Sequence, residues 1–306
     1  AGSHLADLLV QKGEKVYGLA HSLDNSYNIA HLGSEIQVYP ADICDPFQVK
    51  QVLDSVRPEV IYHLAGMSYV PATVDRQEAM LDSHFKGTLN LLEASKQLNL
   101  RPKILWVGSS EEYGLVSRQN GRVDESNALN PFSLYGVSKS AAELLANSYY
   151  ERGELEVVRV RPFNHIGPRQ DSRFVIASFA QQIVEIEAGG EPVLKTGNLD
   201  SERDFTDVRD TVRAYYLAMM DGTPGEAYNV CSGIARKIGD VLTELIRQAG
   251  CSIKVESEAE RFRPNIPVNH RGDYSKLRAA TGWQPEISLD ASIGDILAFW
   301  RKKQGV

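Results

Sequence analysis

Tyr135 and Lys139 stand four residues apart in Tyr135-Gly136-Val137-Ser138-Lys139. On a helix that spacing puts a phenol and an ammonium on one face. A lysine cation beside a phenol favours the phenolate and draws the tyrosine pKa down toward working pH. Such a pair moves a proton to or from a carbinol oxygen while hydride is transferred at the attached carbon. The pattern alone has low specificity, because thirteen tyrosines give about one such spacing by chance. A surface tyrosine beside a solvated lysine is the alternative reading. Ser109 adds specificity: it ends an upstream strand and can hydrogen-bond the same oxygen.

Parallel sheets bind ligands at the carboxyl ends of their strands. Four predicted strand ends carry small or polar residues: Ala41-Asp42-Ile43, Leu64-Ala65-Gly66, Gly108-Ser109-Ser110-Glu111 and Arg161-Pro162-Phe163-Asn164. Asp42 can accept a hydrogen bond from an adenine amino group. Gly66 lets a nucleotide approach the backbone. Gly2 stands where the last glycine of a phosphate-binding turn would open a helix.

The elements that must position these residues follow from the apolar pattern. Residues 1–13 read as a helix, with Leu5, Leu8 and Leu9 in phase and Gly13 as its stop. A preceding strand and glycine-rich turn, expected before such a helix, do not stand in the chain. Strands are predicted at Val16–Ala20, Ile36–Tyr39, Val60–Gly66, Ile104–Val107, Val157–Val160 and Ala227–Val230. Helices are predicted near Pro46–Val56, Asp75–Leu98, Leu134–Tyr150 and Arg173–Ala188, with two or three short ones toward the C-terminus. On the long second helix, Leu81, Phe85, Leu89 and Leu92 are expected to mark one apolar face. Strand and helix in alternation mean an α/β fold with a doubly wound parallel sheet of Rossmann type. The beat changes near Arg161–His165, which assigns residues 1–163 and 206–232 to this unit. Residues 164–205 and 233–306 form a smaller mixed C-terminal unit. The charged segment Asp200–Arg213 reads for the most part as a solvated face.

The chain has 306 residues, of which 42% are hydrophobic and 24% charged, as in an ordinary soluble globular protein. Its net charge of −7 gives no support to a nucleic-acid or anionic-membrane surface. No apolar run approaches the ~18 residues needed to span a bilayer. Cys44, Cys231 and Cys251 are too sparse for a disulfide framework or a zinc site and read as buried thiols in a reducing cytosol. No metal is expected.

At this point the chain resembles the extended short-chain dehydrogenase/reductases that act on nucleotide sugars. The motifs that carry the likeness are Tyr62-His63-Leu64-Ala65-Gly66, Gly108-Ser109-Ser110-Glu111-Glu112-Tyr113-Gly114, Tyr135-Gly136-Val137-Ser138-Lys139 and Arg161-Pro162-Phe163-Asn164-His165. Arg203–Asp210, Tyr228-Asn229-Val230 and Thr281-Gly282-Trp283 extend it into the C-terminal half. Within that family the chain is most similar to the GDP-4-keto-6-deoxy-mannose reductases, also called GDP-6-deoxy-D-mannose reductases. The GDP-mannose 4,6-dehydratases are near relatives.

The resemblance implies roles. Tyr135 donates a proton to the sugar O4, Lys139 lowers its pKa and holds the nicotinamide ribose, and Ser109 orients the C4 carbonyl. Asp42 and Ile43 meet the adenine, Leu64, Ala65 and Gly66 line the dinucleotide, and Pro162 and Phe163 flank the nicotinamide. Asn164, Lys195, Arg203 and Arg263 face the nucleotide diphosphate, where an arginine fork grips phosphate oxygens in pairs. The first unit holds NADP or NAD, and the second holds the GDP-sugar. Asp24 stands late for an NAD-selecting acid, and the choice between the two cofactors stays open. A cytoplasmic homodimer through the helices near 75–98 and 134–150 is expected. His84 stands where relatives usually carry asparagine; a lone buried histidine is most often structural.

Three activities remain open: C4-ketone reduction, 4,6-dehydration and non-catalytic NAD(P) binding. The intact Ser109, Tyr135 and Lys139 set opposes the last. Dehydratases resembling this chain place threonine at Ser109 and Glu-Ser-Pro-Arg-Arg where Ile166-Gly167-Pro168-Arg169-Gln170 stands, which favours the reductase. Glu111 occupies the slot of the dehydratase acid/base and points the other way.

Overall fold

A computed structural model of the chain describes residues 1–23, 26–68, 74–115, 122–258 and 271–305. Helix α1 (Gly2–Gln11) opens it and ends before Gly13, whose φ of +79° suits glycine. Strands β1 (Val16–Ala20) and β2 (Ile36–Pro40) pair in parallel, Val16 opposite Ile36. Helix α2 (Pro46–Val56) starts as its sequence dictates: Asp45 accepts from the Phe47 and Gln48 amides, and Pro46 takes the first turn. Strand β3 (Val60–His63) then leads toward Gly66.

The long second helix has three parts: α3 (Val74–Leu81), a π turn at Asp82–Lys86, and α4 (Gly87–Gln97). Each extra residue turns a helix by about 100°, so the π turn breaks the apolar register. His84 is turned inward, at 2% exposure, while Phe85 is left 39% exposed. The single stripe expected through Leu81, Phe85, Leu89 and Leu92 is therefore interrupted at Phe85.

Strand β4 (Lys103–Val107) runs into a 3-10 turn at Ser110–Tyr113, and β5 (Arg122–Val123) follows. Next come α5 (Leu134–Glu151), β6 (Glu156–Pro162), β7 (Asn164–Ile166), α6 (Val175–Glu187), β8 (Val193–Thr196), β9 (Glu202–Asp207), α7 (Val208–Asp221) and β10 (Ala227–Val230). The C-terminal quarter holds β11 (Ala235–Lys237), α8 (Ile238–Ala249), β12 (Lys254–Ser257), β13 (Arg271–Gly272), α9 (Ser275–Thr281) and α10 (Leu289–Gln304). The main sheet is parallel, in the order β10-β6-β4-β3. Among the described residues, β1 and β2 form a separate two-stranded sheet.

The two largest hydrophobic centres are separate. One packs β4, β6, β10 and α7 around Leu105, Val158, Val160 and Tyr215, with Leu5 from α1 and Leu277 and Trp283 from the last quarter. The other packs α6, α8 and α10 around Ile183, Leu194, Leu245 and Trp300.

Asp200–Arg213 departs from the solvated face expected of it. Asp204, Asp207 and Asp210 are buried, each because it satisfies donors from distant loops. Asp204 accepts from the Ser232, Gly233 and Gly272 amides at 2.7–3.1 Å. Asp210 accepts from the Glu286 and Ile287 amides, both at 2.8 Å. Asp207 caps α7, pairs with Arg209 and accepts from the Ser292 hydroxyl of α10 at 2.5 Å. Buried carboxylates are tolerated when fully hydrogen-bonded, and these three staple the C-terminal segments to the sheet. Of the cysteines, only Cys231 is buried; Cys44 and Cys251 are half-exposed.

Candidate active site

The end of β4 shapes the site. A side chain at Gly108 would meet Glu112 Oε1 at 2.3 Å and the Trp106 ring at 2.7 Å, so the strand leaves the sheet through glycine. Ser109 then caps the 3-10 turn reciprocally: its hydroxyl accepts from the Glu111 amide at 3.2 Å, and its own amide donates to Glu112 Oε1 at 2.6 Å. Helix α5 is capped by Ser133, which accepts from the Gly136 amide at 3.0 Å and donates to Glu111 Oε2 at 2.6 Å. That link brings the exposed Glu111 beside the first turn of α5. Tyr135 projects from that turn and is hydrogen-bonded to Ser109. Lys139, one turn on, is buried; its ammonium donates to the Val107 carbonyl at 2.9 Å and lies 5.3 Å from the Trp106 ring centre. Four residues that the sequence scatters over 31 positions thus meet at one strand end.

The electrostatics correct one expectation. Burial, and next the charge of Glu111, push the Tyr135 phenol above its ordinary pKa, with the Ser109 hydrogen bond opposing them. The phenol is held up, not drawn down by Lys139, whose ammonium is engaged by a backbone carbonyl instead. Tyr135 is therefore protonated at neutral pH, the state needed to give a proton to a carbonyl oxygen. Burial lowers the Lys139 pKa to about 8, against a raising influence from Glu112.

His84 joins the site through the π turn. Its Nε2 lies 3.1 Å from the Met67 carbonyl, which can only accept, so Nε2 carries the proton. Its Nδ1 faces the Ser138 hydroxyl at 2.7 Å, and its ring stands edge-on to Tyr135 at 5.4 Å. Burial, then the Lys139 charge, lowers its pKa to about 3, so the imidazole is neutral. A side chain on Gly66, at φ +147°, would sit 2.4 Å from this ring. His84 thus ties the end of β3 to the tyrosine helix, a structural role beside the site.

The remaining sequence candidates are placed unevenly. Asp42 and Ile43 lie beside α4: Asp42 Oδ1 accepts from the Cys44 amide, and the Ile43 carbonyl accepts from Asn90. Leu64 and Ala65 are half-buried, and Gly66 and Gly2 are exposed. Pro162 is buried, and the Phe163 ring is taken up by a small core with Tyr113, Val123 and Cys231. The ring expected to flank a nicotinamide therefore packs inside the protein. Asn164 is exposed at the start of β7. Lys195 pairs with Glu258 at 2.7 Å, and Arg203 donates to the Glu202 carbonyl. Arg263 and Asp24 lie outside the described residues.

Sequence reasoning passed over Glu112, Glu143, Arg161 and Ser138. Glu143 had a readable signal: Tyr135, Lys139 and Glu143 repeat every four residues, along one face of α5. Arg161 reaches Glu143 through Nε at 3.0 Å and stands 5.0 Å from the Tyr113 ring centre. Nothing local marked Glu112 as buried.

Known proteins are similar to this chain. The family model described as GDP-mannose 4,6 dehydratase matches residues 1–296. GDP-6-deoxy-D-mannose reductase of Pseudomonas aeruginosa is 36% identical over 247 residues, covering 80% of this chain and 81% of that protein. GDP-mannose 4,6 dehydratase 1 of Arabidopsis thaliana is 28% identical, covering 94% of this chain and 83% of its own length. The structure of RMD from Pseudomonas aeruginosa complexed with NADPH superimposes with a TM-score of 0.84 at 32% identity, covering 94% of this chain and 99% of that one. With near-complete coverage by the family and a relative above 30% identity, the chain belongs to the GDP-mannose 4,6 dehydratase family.

Proposed function

We propose that the protein is an NAD(P)-dependent oxidoreductase that reduces the C4 ketone of a GDP-4-keto-6-deoxy-hexose. The observation that carries this reading is the placement of Tyr135 and Lys139 one turn apart on α5, with the buried Lys139 ammonium donating to the Val107 carbonyl at 2.9 Å where β4 runs into Ser109. Similarity to a GDP-6-deoxy-D-mannose reductase and to a structure with NADPH supports the substrate and cofactor class. The open backbone at Gly66, the Lys139 ammonium and the Asp42 carboxylate fit a dinucleotide laid over the strand ends. A nicotinamide cofactor supplies hydride when bound.

The chain's own residues do the rest. Ser109 fixes the carbonyl oxygen by hydrogen bonding, and Tyr135 gives it a proton as negative charge develops there. Lys139, with its pKa lowered to about 8, restores the proton and holds the ribose. Asn164, Lys195, Arg203 and Arg263 bind the nucleotide diphosphate, Lys195 exchanging Glu258 for phosphate oxygens. Residues 1–163 with 206–232 bind the cofactor, and 164–205 with 233–306 bind the sugar nucleotide.

Glu111 favours a second reading, 4,6-dehydration, because it is an exposed carboxylate whose charge acts on Tyr135. In that chemistry a base removes the C5 proton after C4 is oxidised; in ketone reduction no C5 proton moves. The test is consumption of GDP-mannose against that of GDP-4-keto-6-deoxy-mannose with NADPH, by wild type and Glu111→Gln. A reductase consumes only the keto sugar, and Glu111→Gln lowers its rate within about tenfold, mainly through KM. Turnover of GDP-mannose with C5 deuterium exchange that Glu111→Gln abolishes overturns the reductase.

We infer a homodimer through the same helices. Phe85, Leu134, Val137 and Leu144 are exposed at 39%, 36%, 44% and 61% on the π turn and α5, and apolar side chains gathered on neighbouring helices suit a two-fold interface. Light scattering at micromolar concentration is expected to give twice the 33.9 kDa chain mass; a monomer mass rejects it. Among the described residues, no helix is long and apolar enough to cross a membrane. The sparse cysteines support a cytoplasmic location, and the net charge of −7 gives no support to a nucleic-acid partner.

A further inference from the structure

Beneath the active site two glutamates meet with no exposure to solvent. Glu112 and Glu143 are both 0% exposed. Glu143 is fully engaged by guanidinium groups: Arg161 reaches it through Nε at 3.0 Å and Nη2 at 2.5 Å, and Arg159 through Nη1 at 3.1 Å. The last arm of Arg161 is spent on the Tyr113 hydroxyl at 2.9 Å. Glu112 receives none of these donors. Its Oε1 takes the Ser109 amide at 2.6 Å, and its Oε2 is buried with no N–H or O–H partner.

The neighbour left for that oxygen is the Glu143 carboxyl, within hydrogen-bonding reach. Two carboxylates in contact inside a protein repel strongly, and an unpaired buried oxygen is costly. One proton removes both penalties by converting the contact into an O–H···O bond. We propose that Glu112 and Glu143 hold a single proton between them at neutral pH, carried on Glu112, and that this neutral acid positions Ser109 and keeps a full negative charge away from Lys139.

The surroundings agree with that placement. Burial, and then Glu143, push Glu112 well above the usual carboxylate range, while hydrogen bonds from Arg161 and Glu112 outweigh burial and hold Glu143 below it. The charged and titratable groups that act on Glu112 or are acted on by it are Tyr135, Lys139 and Glu143 from α5 and Arg161 from β6. Of these, Lys139 feels the difference most directly. An ionised Glu112 raises the Lys139 pKa against burial, and a neutral one leaves burial unopposed. Glu112 is thus a positioning residue, acting through Ser109 and Lys139.

Two measurements test this, one independent of the proposed reaction. Infrared difference spectroscopy on wild type at neutral pH should show a protonated carboxyl stretch that Glu112→Gln removes. Its absence from wild type, or its persistence in the variant, overturns the proposal whatever the enzyme reduces. The second rests on the reductase reading and follows kcat against pH. Glu112→Leu should lower kcat about tenfold through the lost cap, with cofactor Kd within about threefold, and Glu112→Gln should recover most of that loss. The alkaline limb of kcat should stay within about half a pH unit in Glu112→Gln, because a neutral amide replaces a neutral acid. A limb moved down by a unit or more means that wild-type Glu112 was charged and overturns the proposal. Should Glu112→Leu fail to fold, the spectrum and the pH profile of Glu112→Gln still decide.

Discussion

Replacing Tyr135 by phenylalanine is expected to lower kcat by about 10²–10⁴-fold, the contribution of a positioned general acid. The change removes one oxygen and leaves the ring, so the edge-on contact with His84 at 5.4 Å persists and the fold should be unaltered. What is lost is a hydroxyl that burial and Glu111 keep protonated. Cofactor affinity should change by less than about threefold, because the dinucleotide meets the strand ends and Lys139 as before. Retention of more than about a tenth of wild-type turnover would remove Tyr135 from the acid role. Steady-state kinetics on the keto sugar with NADPH, and fluorescence titration of NADPH, provide both readouts.

Lys139→Met should have an effect of similar size through two routes. Methionine keeps the buried stem, so packing against Trp106 survives, but the ammonium that donates to the Val107 carbonyl at 2.9 Å is gone. A buried carbonyl is left unpaired, and the proton source behind Tyr135 disappears. We expect kcat to fall about 10²–10³-fold and cofactor Kd to rise about tenfold or more, the worth of a charge-assisted hydrogen bond. The wild-type pH profile provides a companion test. With its pKa at about 8, Lys139 is charged below that pH and neutral above it, so turnover should decline as pH rises through about 8. In Lys139→Met that alkaline limb should vanish. A limb unchanged in the variant would assign the titration to another group.

Much of this site was legible because its signals are local. The four-residue step from Tyr135 to Lys139 needs only helical geometry to place both on one face, and α5 forms as its pattern dictates. Small residues after the apolar runs of β3, β4 and β6 marked where a parallel sheet opens. Pro46 announced α2, and Gly13 announced the end of α1. Burial by alternation could not be read for Asp204, Asp207 and Asp210, because their donors come from residues 232–292.

The sequence by itself determined the strand–helix alternation, the ends of most elements, and the set Ser109, Tyr135 and Lys139, since each depends on neighbours a few residues away. Tertiary structure alone decided the rest. One residue of slip in the π turn carried His84 into the site and Phe85 out of the core, and no apolar periodicity encodes such a slip. The packing of β4, α5 and β6 set Glu112 against Glu143 and Glu143 against Arg161, and it lifted the Tyr135 pKa where helical spacing alone implied a fall. Desolvation and long-range pairing set those charges, and both arise only when segments distant in the chain close around one another.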